Sequence, residues 1–247
     1  MKAILYIGHG TRSKKGAFEA KAFLERVIAK VPAPIQEVSF IELTEPTIEE
    51  GFLRCIKKGA TEIIVVPILL LAAGHMKIDI PEIIEALQAD YPQIPVTIRN
   101  AFGVQEVILD AIAELIYDNA ENLSKEDRIL IVGRGSSDPG IHQAFANIEK
   151  GLEDRLKIRG ITSCFLAAAN PKFGDGLQSA LKKAKKRVIV VPYLLFSGLL
   201  LSEVNLYCRK QGPHVLLIEP LSRHKAMEKV VIQSAVGSVE KDAASIY

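Results

Sequence analysis

The segment AILYIGHGTRS, residues 3–13, joins a short apolar run to a histidine that stands between two glycines. Continuous apolar runs of this length are typical of buried parallel strands. In open α/β sheets ligands bind just beyond the carboxyl ends of the strands, which is where His9 would lie. Gly8 and Gly10 allow a ligand to approach the main chain closely. The segment therefore predicts a binding residue at a strand end, although a tight turn with a solvent-facing histidine would show the same pattern.

Strand-like and helix-like segments alternate through the rest of the 247 residues. This alternation predicts an α/β fold in which parallel strands are joined by right-handed helical crossovers. The first helix is predicted over residues 16–30, with Phe18 and Phe23 on its buried side. The most hydrophobic strand is predicted over residues 61–71, and it is followed by a helix that ends near Asp90.

The pattern then begins again, and the second half repeats the first at an offset of 125 positions. The segment GHGTRS (8–13) is matched by GRGSSD (133–138), and CIKKGATEIIVVPILL (55–70) by ALKKAKKRVIVVPYLL (180–195). Repeats of this length are too long for a solenoid. We therefore predict two tandem similar domains, residues 1–122 and 123–247. Each would be a parallel sheet flanked by helices, with the active cleft between the two domains.

Composition excludes several classes of protein. Lys and Arg total 31 against 29 for Asp and Glu, so the net charge of +2 does not indicate a nucleic-acid partner. The three cysteines form no CxxC pair, which fits a reducing compartment. Neither a signal peptide nor an apolar run of membrane-spanning length is recognised. We expect a cytoplasmic protein without a membrane partner, and a monomer, because two fused halves would already form the cleft.

Common nucleotide and hydrolase motifs are also missing. Gly8-x-Gly10 lacks the third glycine of a dinucleotide fingerprint, because Ser13 occupies that position. Neither GxxxxGK[ST] nor GxSxG occurs in the sequence. A phosphohistidine phosphatase would have an arginine immediately before His9, where this chain has a glycine.

A comparison of the two halves identifies polar residues that the second half lacks. Three residues at predicted strand ends are replaced there: His9 by Arg134, Glu42 by Ala167, and His75 by Leu199 after a one-residue gap. Parallel strands end at one edge of the sheet, so these side chains are expected to converge. Two imidazoles and a carboxylate make an open site for a divalent first-row transition metal. A solvent-facing histidine at 75 and an exposed rim carboxylate at 42 are the alternatives.

Other polar and apolar residues are candidates for contacts with a substrate. Arg12, Lys77 and Arg134 lie at or near the predicted strand ends, where they could bind anionic groups. Ser13 could donate a hydrogen bond there or cap a helix. Met76, beside the second histidine, is either a soft metal contact or an apolar cover.

Three motifs together resemble the class II chelatases of tetrapyrrole synthesis. They are GHGTRS at 8–13, ELTEP at 42–46 and VVPILLLAAGHMKIDIP at 65–81. The resemblance covers essentially the whole chain, including its duplication. It implies insertion of Fe2+ into sirohydrochlorin, which gives sirohaem and releases two protons. It also implies that the partners of this chain are sirohydrochlorin and a divalent metal.

The resemblance further implies roles for the candidate residues. The metal-handling histidines of the family match His9 and His75, and its carboxylate matches Glu42. His9 is the first candidate for the base that removes the pyrrole protons, while the other two residues would hold or deliver the metal. Leu199, in the second half, would pack on the face of the ring. Iron would be a substrate rather than a tightly bound cofactor, and Co2+ or Ni2+ could occupy the same site.

Three further interpretations are kept. A cobaltochelatase would use the same residues, because a two-histidine, one-carboxylate site follows the general affinity order of divalent metals. A metal or tetrapyrrole carrier would bind without turnover. A purely structural α/β protein would bind no metal at all.

Overall fold

The computed structural model describes residues 1–237. In the first half, side-chain caps mark where helices begin: Ser13 precedes the first helix, and Thr47 forms a capping box with Glu50 at the second. The elements in chain order are β1 (Lys2–Gly8), α1 (Lys14–Ile28), β2 (Ile35–Phe40), α2 (Ile48–Lys57), β3 (Glu62–Pro67), a π-helical turn (His75–Asp79), α3 (Ile80–Asp90), β4 (Val96–Ile98) and α4 (Glu106–Asn119).

The second half repeats this order of strands and helices. Its elements are β5 (Arg128–Gly133), α5 (Gly140–Leu156), β6 (Thr162–Phe165), α6 (Phe173–Lys183), β7 (Val188–Pro192), α7 (Leu199–Lys210), β8 (Val215–Leu217) and α8 (Ala226–Val236).

Each half forms a four-stranded, fully parallel sheet with the same strand order. The order is β2-β1-β3-β4 in the first sheet and β6-β5-β7-β8 in the second. The predicted α/β fold with two similar parallel sheets is therefore confirmed. In both sheets the chain runs from the first strand to one neighbour and then crosses to the other. The carboxyl ends of β1 and β3 thus flank the point at which strand order reverses, where ligands bind in α/β sheets.

Packing divides the described residues into two compact units. One contains Met1–Gly103 with residues 228–237, and the other contains Val104–Met227. Helix α4 belongs to the second unit, where a Cβ on Gly151 of α5 would lie 2.5 Å from Leu109 of α4. In the first unit, Glu228 of α8 pairs with Arg26 of α1 at 2.6 Å. The chain is thus divided differently by sequence and by packing. The sequence repeat has its boundary near residue 122, whereas the packing units divide after Gly103 and again after Met227.

The helices that cover each sheet are held close by small residues at matching positions. In the first unit, a Cβ on Gly51 of α2 would lie 1.9 Å from Oγ of the buried Ser39. In the second, a Cβ on Gly176 of α6 would lie 2.6 Å from Cβ of Cys164. Within residues 1–237, no helix has both the length and the apolar character needed to cross a membrane.

Two local expectations are corrected by the structure. Phe18 is not on the buried side of α1 but is 74% exposed, because the buried face runs through Ala20, Phe23 and Val27. The apolar run predicted as a strand over residues 61–71 is strand only as far as Pro67. The residues beyond that point lie outside the strand, although the Ile68 N–H still donates to the Ile7 carbonyl of β1 at 2.8 Å.

Candidate metal site

The candidate site lies at the carboxyl edge of the first sheet, beside the reversal of strand order. His9 follows directly after the end of β1, at the centre of the sheet. Glu42 lies two residues beyond the end of β2, and His75 opens the π-helical turn that follows β3. The three residues therefore come from three adjacent strands, as the sequence comparison predicts.

A close backbone contact fixes the carboxylate loop against the histidine loop. The Glu42 N–H donates to the His9 carbonyl at 3.1 Å, and the Thr11 N–H donates to Thr44 Oγ1 at 2.9 Å. Gly10 has φ +94°, and a Cβ at this position would lie 1.7 Å from the Glu42 carbonyl oxygen. Only glycine adopts this conformation and leaves room for the neighbouring loop. The packing of the two loops therefore requires glycine at position 10.

The second half contains the same backbone frame without the same side chains. The Ala167 N–H donates to the Arg134 carbonyl at 2.8 Å. Gly135 has φ +88°, and its Cβ would lie 2.2 Å from the Ala167 carbonyl oxygen. Both loops are thus built alike, but arginine and alanine replace the histidine and carboxylate. The frame alone therefore needs neither His9 nor Glu42.

A π-helical turn carries the second histidine. The Ile80 N–H donates to the His75 carbonyl, five residues back, and α3 continues from there. Pro81 lacks an N–H, and its ring would crowd the carbonyl of Lys77 in an ordinary α-helix. A single widened turn before this proline is the expected form of a π-bulge, which occurs frequently at functional sites.

The three donor groups converge on one small space. One ligand atom from each of His9, Glu42 and His75 lies within 4.8 Å of the other two. His9 Nε2 is 3.5 Å from Glu42 Oε1. The side chains are 29% exposed for His9, 27% for His75 and 44% for Glu42. The group is thus partly buried and open on one side, as a site that exchanges a metal must be.

Each histidine also has an oxygen acceptor at its other ring nitrogen. His75 Nδ1 is 2.6 Å from Oδ2 of Asp79, and His9 Nδ1 is 3.2 Å from the Gly10 carbonyl oxygen. These contacts leave Nε2 of His75 as the ring nitrogen that could bind a metal. Sequence reasoning missed Asp79, although its spacing of four residues from His75 on a helical turn was a usable signal.

The predicted substrate contacts have different surroundings. Arg12 and Lys77 are exposed residues of the first unit, close in sequence to the donors. Ser13 caps α1, accepting from the Gly16 N–H at 3.2 Å, so the capping alternative is observed. Arg134 and Leu199 are exposed residues of the second unit, and Leu199 opens α7 as His75 opens its turn. Their contacts with a substrate stay predictions.

Thiols take no part in the site. Cys55, Cys164 and Cys208 are all buried in the cores of the two units. Burial raises the pKa of Cys55 and of Cys164 to about 12, and that of Cys208 to about 11. A thiolate is the form that binds metal, so these groups remain protonated apolar side chains. Nitrogen and oxygen donors of the candidate site suit divalent iron, cobalt and nickel.

The duplicated α/β sheets, with three converging candidate metal ligands at the strand ends of one copy, define the class of chelatase-like proteins. The profile of the CbiX family matches residues 3–119 and 128–237. This chain belongs to the CbiX family.

Named relatives and solved structures agree with this membership. The sirohydrochlorin ferrochelatase of Priestia megaterium is 45% identical over 205 residues, which are 83% of this chain and 77% of that protein. The sirohydrochlorin chelatase SirB of Bacillus subtilis subspecies spizizenii in complex with cobalt is 36% identical, with a TM-score of 0.84 over 99% of this chain and 98% of that one. SirB from Bacillus subtilis with Fe3+ is 36% identical, with a TM-score of 0.85 over 98% of both chains.

Proposed function

We propose that this chain is a sirohydrochlorin ferrochelatase, which inserts Fe2+ into sirohydrochlorin and releases two protons. The observation that carries the proposal is the convergence of ligand atoms from His9, Glu42 and His75 within 4.8 Å. The relative from Priestia megaterium, named a sirohydrochlorin ferrochelatase, supports the substrate and the metal. We further propose that the enzyme is cytoplasmic and acts as a monomer.

The two histidines differ in their surroundings, and this difference supports different roles. His75 is held by a carboxylate at 2.6 Å, as metal-binding histidines commonly are. His9 has a carbonyl oxygen at 3.2 Å as the neighbour of Nδ1, and its Nε2 faces the Glu42 carboxylate at 3.5 Å. We assign metal binding to His75 with Glu42. His9 would bind the same metal through Nε2, and when the ion passes to the ring this nitrogen is released and accepts one of the two pyrrole protons. The second proton would pass to the Glu42 carboxylate, which the departing ion also frees.

The surface around the donors has the character that a carboxylate-bearing macrocycle requires. Leu43, next to Glu42, and Ile78, between His75 and Asp79, are apolar side chains that are about half exposed. Arg12 and Lys77 supply exposed positive charge near the same loops. A ring that is apolar on its faces and anionic at its edge suits this combination. Contacts from Ser13, Arg134 and Leu199 remain part of the proposal.

Metal choice is the point at which a second function competes. A site of two imidazoles and one carboxylate binds cobalt and nickel at least as well as iron. SirB, which resembles this chain over nearly its full length, has been crystallised in complex with cobalt as well as with Fe3+. A sirohydrochlorin cobaltochelatase is therefore the second candidate, with the same residues in the same roles.

An anaerobic absorbance assay with sirohydrochlorin tests the proposal. Wild-type protein is mixed with Fe2+ or, separately, with Co2+, and the insertion rate is compared with the rate in protein-free solution. We expect many turnovers per chain with Fe2+, lost in His9→Ala and His75→Ala. The variant His214→Ala, at an exposed histidine of the second unit, is the matched control and retains wild-type turnover.

The same assay separates the alternatives. A higher protein-dependent insertion rate with Co2+ than with Fe2+, at equal free metal concentration, would favour the cobaltochelatase function over the ferrochelatase function. Metal or ring binding without any rate above the protein-free reaction would make the chain a carrier. Absence of both binding and turnover would leave only a structural role.

A further inference from the structure

We infer that Asp79 is a positioning residue that fixes the tautomer and the orientation of His75, so that Nε2 of this ring is presented to the metal. The inference deepens the proposed function and rests on it for its biological meaning. Asp79 reaches the site through His75 and is not one of the three converging donors.

The contact itself is short and joins the two ends of one helical turn. His75 Nδ1 and Asp79 Oδ2 are 2.6 Å apart, which is within the range of charge-assisted hydrogen bonds. The two residues are the first and last of the π-helical turn that precedes Pro81. Their spacing is therefore set by the backbone of this turn.

An ionised carboxylate is only an acceptor, so the shared proton must be carried by the imidazole nitrogen. A neutral histidine has one ring proton, and placing it on Nδ1 leaves the lone pair on Nε2. Without Asp79, either nitrogen of His75 could carry the proton, and part of the population would have no donor facing the site.

The described contacts of the other histidine are different. His9 Nδ1 lies 3.2 Å from the Gly10 carbonyl oxygen, and its Nε2 lies 3.5 Å from Glu42 Oε1. The carboxylate near His9 is therefore on the nitrogen that faces the site, whereas the carboxylate near His75 is on the opposite nitrogen. The pair formed by Asp79 thus explains why the two imidazoles, although they touch, would divide the work between metal binding and proton acceptance.

Nitrogen-15 spectra of histidine-labelled, metal-free protein at pH 8.5 test the inference directly. Wild type is expected to show His75 with its proton on Nδ1, and Asp79→Ala is expected to show a mixture of the two tautomers. Asp79→Glu should restore the wild-type spectrum in part. Asp79→Asn should give a mixture, because an amide can either donate or accept.

Titration with Co2+ alone, followed by visible absorption, supplies the second readout. We expect Asp79→Asn and Asp79→Ala to bind Co2+ about 10- to 100-fold more weakly, as loss of an outer-shell partner does. The matched control is Glu203→Gln, at the equivalent position of α7, where Leu199 replaces the histidine. This control should bind Co2+ as wild type does.

Neither measurement needs sirohydrochlorin, so the result stands apart from the chelatase assay. Wild-type tautomer and wild-type Co2+ affinity in Asp79→Ala would overturn the inference, even if the enzyme were active. A shifted tautomer with weakened Co2+ binding would support it, even if sirohydrochlorin were not the substrate. The conservative variant Asp79→Asn, with an unchanged melting temperature, excludes misfolding as the cause.

Discussion

The rings of His9 and His75 meet edge to face, with centroids 4.7 Å apart and planes at 86°. One ligand atom of each ring also lies within 4.8 Å of the other and of Glu42, so we expect the two imidazoles to bind one ion together. On the proposed function the pair would then act as a unit, and its members should not contribute separately to turnover.

This relationship predicts strong non-additivity between the two histidines. His9→Ala and His75→Ala are each expected to reduce metal insertion by at least about 100-fold, because residues that act as a unit fail together. The insertion rate of the double variant should be no more than about tenfold below that of the slower of the two single variants. Initial rates in the absorbance assay, corrected for the protein-free reaction, measure the effect. Losses that multiply in the double variant would show that the rings act independently.

The duplicated loop frame predicts different outcomes for one substitution made at two equivalent glycines. Gly10→Ala and Gly135→Ala both place a Cβ against a carbonyl oxygen at positive φ. Each should lower the free energy of unfolding by more than about 1 kcal/mol. Only Gly10→Ala moves the loop of Glu42, so only this variant should weaken Co2+ binding, by about tenfold or more.

Urea unfolding and Co2+ titration of both variants provide the comparison. Each variant serves as the control for the other, because the strain is alike and the side chains nearby differ. Equal loss of Co2+ binding in the two variants would contradict a site confined to the first frame.

The buried thiols predict that the native protein resists thiol reagents. Burial raises the pKa of Cys55 to about 12, and the nearby Glu37 carboxylate adds to the increase. Cys164 and Cys208 are buried in the second unit, with a pKa of about 12 and about 11. A colorimetric disulfide reagent at pH 8 should therefore detect no fast-reacting thiol in folded protein and three in urea. Rapid reaction of any thiol in the native state would show that its core opens readily.

The anchoring of α8 predicts a loss of stability in acid. Burial disfavours the charge on Glu228, but hydrogen bonds from Lys30 and Arg26 outweigh it and lower the pKa of this carboxyl below 4.5. A depressed pKa in the folded state contributes stability above the unfolded value and loses it as the pH falls through the folded value. Glu228→Gln should lower the free energy of unfolding by about 1 kcal/mol at pH 7 and by less at pH 3, which is below the unfolded-state pKa of a glutamate.

Urea midpoints at the two pH values measure this dependence. Glu85→Gln, at an exposed position of α3, is the control and should leave both midpoints unchanged. An effect of Glu228→Gln that is equal at both pH values would show that the charge contributes nothing.

Much of the fold was predictable because its signals are local and repeated. Apolar runs that end in glycine or proline mark the strands, and the common offset of 125 positions marks the duplication. The meeting of His9, Glu42 and His75 followed from one geometric rule, that parallel strands end at one edge.

What escaped prediction depends on packing partners and on one irregular turn. Phe18 fits a helical period, but the buried face of α1 is set by which residues meet the sheet. The seven buried residues of α4 reveal an apolar face without revealing that its partner is α5. The pair of His75 with Asp79 was missed although its four-residue spacing was a usable signal, because the turn that joins the two residues is π-helical and periodicity does not distinguish such a turn.

The frame of glycine-locked loops occurs twice, whereas the converging donor set found among residues 1–237 occurs once. On the proposed function, we therefore expect this donor set to bind one metal equivalent per polypeptide. Saturation of Co2+ binding would then count the active chains in a preparation. Each polypeptide would therefore carry two copies of the glycine-locked loop frame and one proposed metal site.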